Sequence, residues 1–164
     1  MTINRIDKDF YRRFLNYAFW LLGRRAYSKK EITQKFERKA KKIKLEENVS
    51  EPLIEKVLKR LTELNYINDA KILDSYFEYR LPARPAGKFV FLNEMKRRGI
   101  PMDEAKRVWD EKKIDEKILA EEFIAGKIKR FAGLDARIKK KRIAGLLARR
   151  GFEANIVWSV IEKL

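Results

Sequence analysis

The sequence predicts an all-α protein, an elongated array of three tandem three-helix modules. Three observations carry that expectation. Apolar residues recur every three or four positions almost throughout, the spacing of helices with one buried face. Only seven Gly and four Pro interrupt the 164 residues. Alternation of β-branched residues, the mark of strands, is nearly absent. Hydrophobic residues make up 45% of the chain, enough to bury a core although 39% of residues are charged.

The first module is expected over residues 1–65. Phe10, Phe14, Tyr17, Ala18, Leu21 and Leu22 line one face of a first helix that stops at Gly23. Ser28, followed three residues later by Glu31, is a capping-box start, and Ile32, Phe36 and Ala40 form the stripe of the helix behind it. Ser50-Glu51-Pro52 places a cap and a proline at the front of a third helix, with Leu53, Val57, Leu58, Leu61 and Leu64 buried. Asn65 stands where that helix would close in a left-handed residue.

The second module is expected over residues 66–112. Asp69 opens a helix carrying Ile72, Leu73, Tyr76 and Phe77, broken by a loop from Pro82 to Gly87. Phe89, Leu92 and Met95 follow on a helix ended by Gly99, and Pro101, Ala105, Val108 and Trp109 make the next. The third module, residues 113–164, repeats the plan. Ile118, Leu119 and Phe123 come first, then Ile143, Leu146 and Leu147 before Gly151, then Ile156, Val157, Val160 and Ile161. Leu92 to Ile100 aligns with Ala144 to Phe152, and both stretches end in Arg-Arg-Gly-apolar with their glycines 52 residues apart. A period of about fifty residues is an array signature, each unit leaning on its neighbours. The helix through Phe36 and Ala40 has no matching glycine and runs into the basic stretch Lys39 to Lys44.

Composition narrows the chemistry. With no Cys there is no disulfide, thiolate nucleophile or cysteine zinc site, and with no His there is no imidazole base or ligand. Lys and Arg number 40 against 24 acids, a formal charge of +16 that points to a polyanionic partner. The excess is uneven: +8 over residues 1–50, +2 over 51–110 and +6 over 111–164, two basic poles around a balanced middle. Tyr17 to Leu22, the longest apolar run, is too short for a membrane span, and Met1 to Asp9 carries no apolar signal core. A soluble cytoplasmic protein is expected.

Within the poles, Arg24, Arg25, Tyr27, Lys29 and Lys30 form the richest segment. Arg forks grip phosphate, Tyr27 offers a stacking face, and a helix N-terminus follows. Tyr27 as a hydrophobic staple is the competing reading. Lys139, Lys140, Lys141 and Arg142 form a four-charge run whose plain alternative is a solvated face. Arg97, Arg98, Arg149 and Arg150 sit in last helical turns, where the helix dipole is a sufficient structural reason for them. Arg84 and Lys88 flank a flexible loop with an aromatic, Phe89, behind it. Trp20, Trp109 and Trp158 fall on apolar faces and are expected in cores. Asp74 and Glu78, one turn apart, read as a solvated face before a metal pair, and Gly87-Lys88 lacks the rest of a phosphate loop.

Four stretches in order resemble the RecX regulators of the RecA recombinase. They are Leu22 to Ile32, Leu58 to Asp69, Gly87 to Ile100, and Ala148 to Phe152. The resemblance covers roughly residues 10–164. It departs at Asn65, where a Gly is usual, and at Leu73, where a small residue is usual. It implies tandem three-helix modules, no cofactor, and binding along the groove of a RecA filament on single-stranded DNA. Such proteins inhibit strand exchange and ATP hydrolysis and limit filament growth. On this reading the chain is a non-enzymatic monomer in DNA recombination, repair and the SOS response, with double-stranded DNA a further partner and no membrane. Composition alone leaves two other readings open: a general basic DNA- or RNA-binding protein of the helix-turn-helix kind, and a membrane-surface protein whose first helix is flanked by Arg12, Arg13, Arg24 and Arg25.

Overall fold

The computed structural model describes residues 3–164, with side chains from Lys8 onward, so most of the Met1 to Asp9 segment lies outside the described side chains. Among the described residues the fold is all-α, with nine helices and one 3₁₀ turn. They are α1 (Ile3–Leu22), α2 (Lys29–Lys42), α3 (Glu47–Glu63), α4 (Asp69–Ser75), α5 (Lys88–Arg98), α6 (Met102–Glu111), α7 (Glu116–Ala125), α8 (Ala136–Arg149) and α9 (Ala154–Glu162). Beyond Ser75, α4 continues through a π-helical turn, Tyr76–Arg80, into Leu81–Ala83, and the 3₁₀ turn is Ile128–Phe131. The chain divides into two compact units, Met1–Ile72 and Leu73–Leu164. Each carries a formal +8.

In the first unit, Phe14, Ala18 and Leu21 of α1 share one core with Ile32, Phe36 and Ala40 of α2 and Leu53, Val57 and Leu61 of α3. Phe14 meets Phe36 edge-on at 5.3 Å, a geometry worth about 0.5–1.5 kcal/mol beyond the area buried. The capping box forms as expected. Ser28 Oγ accepts the Glu31 amide at 3.2 Å, and the Ser28 amide donates to the Glu31 carboxylate at 2.9 Å. Asn65 adopts φ 56°, which lets the Tyr66 amide turn back to the Leu61 carbonyl at 2.9 Å.

Three expectations for this unit are corrected. Helix α3 begins at Glu47, one turn before the proposed cap, so Ser50 and Pro52 lie inside it. The Ser50 amide already bonds the Glu46 carbonyl at 2.8 Å, and its hydroxyl turns back toward the Glu47 carbonyl. Pro52 lies in the second turn of α3, where it removes one backbone bond and its ring crowds the Asn48 carbonyl. Leu64 is exposed, because it forms the cap after α3 rather than its apolar stripe. Trp20 is 55% exposed: its ring lies stacked at 6.0 Å on Tyr17 instead of entering the core.

The second unit has two hydrophobic groupings. Tyr76, Phe77, Phe91 and Trp109 form a ring cluster centred on Phe91, whose ring lies 4.8, 5.2 and 5.0 Å from the other three. The π turn builds part of it. An extra residue in one turn puts Tyr76 and Leu81, five apart, into the core together, a spacing that an α-helix would splay. The helix carries on through Pro82 to Ala83, and the expected loop begins only at Arg84. The other grouping joins Ala120 and Phe123 of α7, Ile143 and Leu147 of α8, and Val157, Val160 and Ile161 of α9, with Phe152 between.

Gly99 and Gly151 end their helices with φ 80° and 77°. Gly151 also receives Gly87: the Gly87 amide donates to the Arg150 carbonyl at 2.8 Å. A Cβ at Gly87 would lie 2.3 Å from the Gly151 carbonyl oxygen. Trp158, expected in the core, is 63% exposed, and Phe89, on the outer face of α5, is 67% exposed. Phe91, two residues on, takes the buried place.

Candidate functional site

The first cationic segment is held more tightly than its composition suggests. Arg25 donates to both carboxylate oxygens of Glu31, at 3.1 and 3.4 Å, and to the Ala26 carbonyl at 3.0 Å. Its guanidinium also lies 3.7 Å from the centre of the Tyr27 ring. Burial opposes the charge most, but Glu31 and Tyr27 outweigh it and hold the Arg25 pKa above its ordinary value. Tyr27 itself is buried in the core of the first unit, so it packs as a staple and presents no stacking face. Arg24 covers the exposed Trp20 ring at 4.4 Å. Lys29 and Lys30 remain exposed at the start of α2.

Of the loop pair, Lys88 is committed to structure. Its ammonium meets Asp110 at 2.6 Å and its amide donates to Glu116 at 3.2 Å, tying α5 to the end of α6 and the start of α7. Burial, and after it the charge of Glu153, raises the Glu116 pKa, while the Lys88 amide and ammonium pull it down. Arg84 is exposed. Arg97 is exposed and Arg98 half-buried in the last turn of α5. Asp74 takes the Lys112 ammonium at 3.4 Å, and Glu78 raises the pKa of the neighbouring exposed Tyr79 phenol. Among the described residues no group of three or more acids is placed to hold a metal ion.

A dense cation cluster lies in the second unit. A groove of about 920 Å³ runs between the end of α7, the 3₁₀ turn and one face of α8. Lys127, Arg130, Lys141, Arg142, Arg149 and Arg150 line it together with Phe123, Phe131, Ile138 and Leu146. No carboxylate is found among the described residues of its lining. Phe123 positions two of the cations, with Lys127 Nζ and Arg150 Cζ each 4.9 Å from its ring centre. Burial first, then the charges of Arg84 and Arg80, hold the Arg150 pKa below its ordinary value. Arg80 leans on Glu94 at 3.7 Å.

The groove brings together Lys141, Arg142, Arg149 and Arg150 from the expected set and leaves Lys139 and Lys140, both half-buried, out of its lining. Lys127 and Arg130 were missed by sequence reasoning. Their signal was the short basic stretch between Gly126 and Gly133, which has no apolar periodicity of its own. The first unit carries an opposite surface: a groove of about 750 Å³ between α2 and α3, lined by Glu37, Glu47, Glu51 and Glu55 with Lys41. Among the described residues no helix is long and apolar enough to cross a membrane.

Fold and surface thus define an all-helical, strongly basic protein whose cations converge on a groove without acids. Its relatives are regulatory proteins. The chain is 28% identical over 158 residues to the regulatory protein RecX of Prosthecochloris aestuarii, covering 93% of this chain and 94% of that one. It is 29% identical to RecX of Chlorobium phaeobacteroides over the same shares of each chain. RecX of Deinococcus radiodurans is 28% identical, covering 92% of this chain and 67% of that one. The crystal structure of RecX from Lactobacillus salivarius matches with a TM-score of 0.73 at 20% identity, over 96% of this chain and 97% of that one, which establishes the shared fold. No protein-family model matches the chain. The resemblance to the RecX family, read from four short stretches, therefore holds along nearly the whole length.

Proposed function

We propose that this chain regulates the RecA recombinase by binding its filament on single-stranded DNA, limiting strand exchange, ATP hydrolysis and filament growth. The observation that carries this reading is the full-length similarity to regulatory proteins RecX. The charge pattern supports it. Two units of +8 each suit a long polyanionic partner better than a compact one. The chain acts without a cofactor, as a cytoplasmic monomer, and through binding rather than catalysis.

In this reading the chain is organised as three modules, 1–65, 66–112 and 113–164. The aligned helix ends at Gly99 and Gly151 support that division. The contact surface takes in Arg24, Lys29 and Lys30 in the first unit and Arg84, Arg97, Arg98 and the α8 cations in the second. Arg25 and Lys88 contribute by holding local structure, since each is engaged with carboxylates.

The test is RecA's DNA-dependent ATP hydrolysis with this protein added below the RecA concentration. Hydrolysis and strand exchange should both fall. Both remaining unchanged at saturating protein would overturn the assignment.

A further inference from the structure

The groove of the second unit is built from two consecutive elements that deliver like charges to one place. Lys127 and Arg130 come from the 3₁₀ segment, Lys141 and Arg142 from the middle of α8, and Arg149 and Arg150 from its end. Like charges gathered around a concave surface repel, and the field they focus there favours a polyanion that neutralises several of them at once. Two of the cations are fixed on the Phe123 ring, so part of the ordering of this cluster is done before any ligand arrives.

The apolar part of the lining says which polyanion. Phe131 packs half-buried on the core of α7, α8 and α9 with part of its side chain lining the groove, and Ile138 is 48% exposed there. Single-stranded nucleic acid offers phosphates in a row and unpaired base faces beside them, and proteins that hold it combine a basic groove with apolar or aromatic platforms. A duplex keeps its base faces inside the stack. A membrane surface calls for a projecting amphipathic helix, whereas these cations line a recess.

We propose that this groove binds single-stranded nucleic acid, phosphates meeting Lys141, Arg142, Arg149 and Arg150 while a base lies against Phe131 and Ile138. This deepens the proposed function by naming the part of the chain that holds the strand, and it rests on that reading only for the strand's identity as DNA.

The test is fluorescence anisotropy of a labelled oligothymidylate of roughly 20 nucleotides, long enough to fill a site of this kind, titrated with the full chain over a salt series. Two groove variants, Lys141→Ala/Arg142→Ala and Arg130→Ala/Arg149→Ala, are compared with Lys106→Ala/Lys117→Ala, which removes equal charge from exposed positions of α6 and α7 outside the groove. Circular dichroism confirms that each folds. Each groove pair should weaken binding about tenfold or more and flatten the salt slope by about 0.7 for every phosphate no longer neutralised, with the Lys106/Lys117 pair staying near wild type. Groove variants that bind like wild type, or a Lys106/Lys117 pair that is weakened as much, would overturn the proposal. So would a duplex of equal length binding more tightly than the single strand, or a loss confined to anionic liposomes. RecA hydrolysis assayed in parallel separates the two readings. Groove-dependent strand binding with RecA unaffected supports the groove and sinks the proposed function; inhibition of RecA with strand binding that ignores the groove does the reverse.

Discussion

Gly87 and Gly151, 64 positions apart, touch through their backbones. The Gly87 amide donates to the carbonyl of Arg150, the residue before Gly151, and a Cβ at Gly87 would sit 2.3 Å from the Gly151 oxygen and 2.6 Å from its carbonyl carbon. A Cβ at Gly151 would meet the Val90 amide nitrogen at 2.6 Å. The start of α5 is thus seated on the turn after α8, joining the ring cluster around Phe91 to the aliphatic core of α7, α8 and α9.

Substituting either glycine should therefore loosen the second unit as a whole. Gly87→Ala should cost about 1–3 kcal/mol or more, because the obstructing atoms are backbone and cannot swing aside. Gly151→Ala should cost at least as much, adding about 1–2 kcal/mol for its left-handed φ of 77°. Gly133 has the same φ with nothing within 4 Å of a Cβ, so Gly133→Ala should show the conformational cost alone. Thermal unfolding followed by circular dichroism ranks the three, and equal losses would contradict the close approach.

The capping box gives a prediction for the first unit. Ser28→Ala removes the acceptor for the Glu31 amide and should cost about 1 kcal/mol, a fall in Tm of about 4–8 °C for a unit of this size. Glu31→Gln keeps the reciprocal bond to the Ser28 amide but loses the ion pair to Arg25, an exposed interaction worth about 0–1 kcal/mol. Its fall in Tm should be the smaller.

Tyr76 makes stability depend on alkaline pH. Burial, and after it the charge of Glu94, pushes its pKa up to about 12, against the opposing charges of Arg80 and Arg150. In the unfolded chain the phenol titrates near about 10. The fold therefore favours the neutral phenol. Its contribution is fully present below pH ~10 and is lost as pH rises through the folded value. Between about pH 10 and 12 the wild-type Tm should fall more steeply than that of Tyr76→Phe. Parallel curves would show that Tyr76 titrates no differently when folded.

The features written in local chemistry were legible in the sequence. Ser28 with Glu31, Asn65, Gly99 and Gly151 each announce a helix boundary by what one backbone position needs, and each boundary is where it was expected. Features that depend on how a whole face is used were not. Trp20 and Trp158 sit on apolar stripes broader than the cores they cover, so periodicity alone could not place them outside. The π turn at Tyr76–Arg80 breaks the three-to-four spacing and hid Leu81 from the core. The basic groove was half visible. Lys141 and Arg142 stand out as a run, but their meeting with Lys127 and Arg130 depends on the path of the chain between α7 and α8.

The most direct test of the central claim is the affinity of the full chain for RecA filaments on single-stranded DNA, measured beside bare single strands and duplex at one salt concentration. Filament regulation predicts that the filament is bound more tightly than either bare form, whatever the DNA sequence. Equal affinity for filament and naked strand, or preference for one duplex sequence, would contradict it.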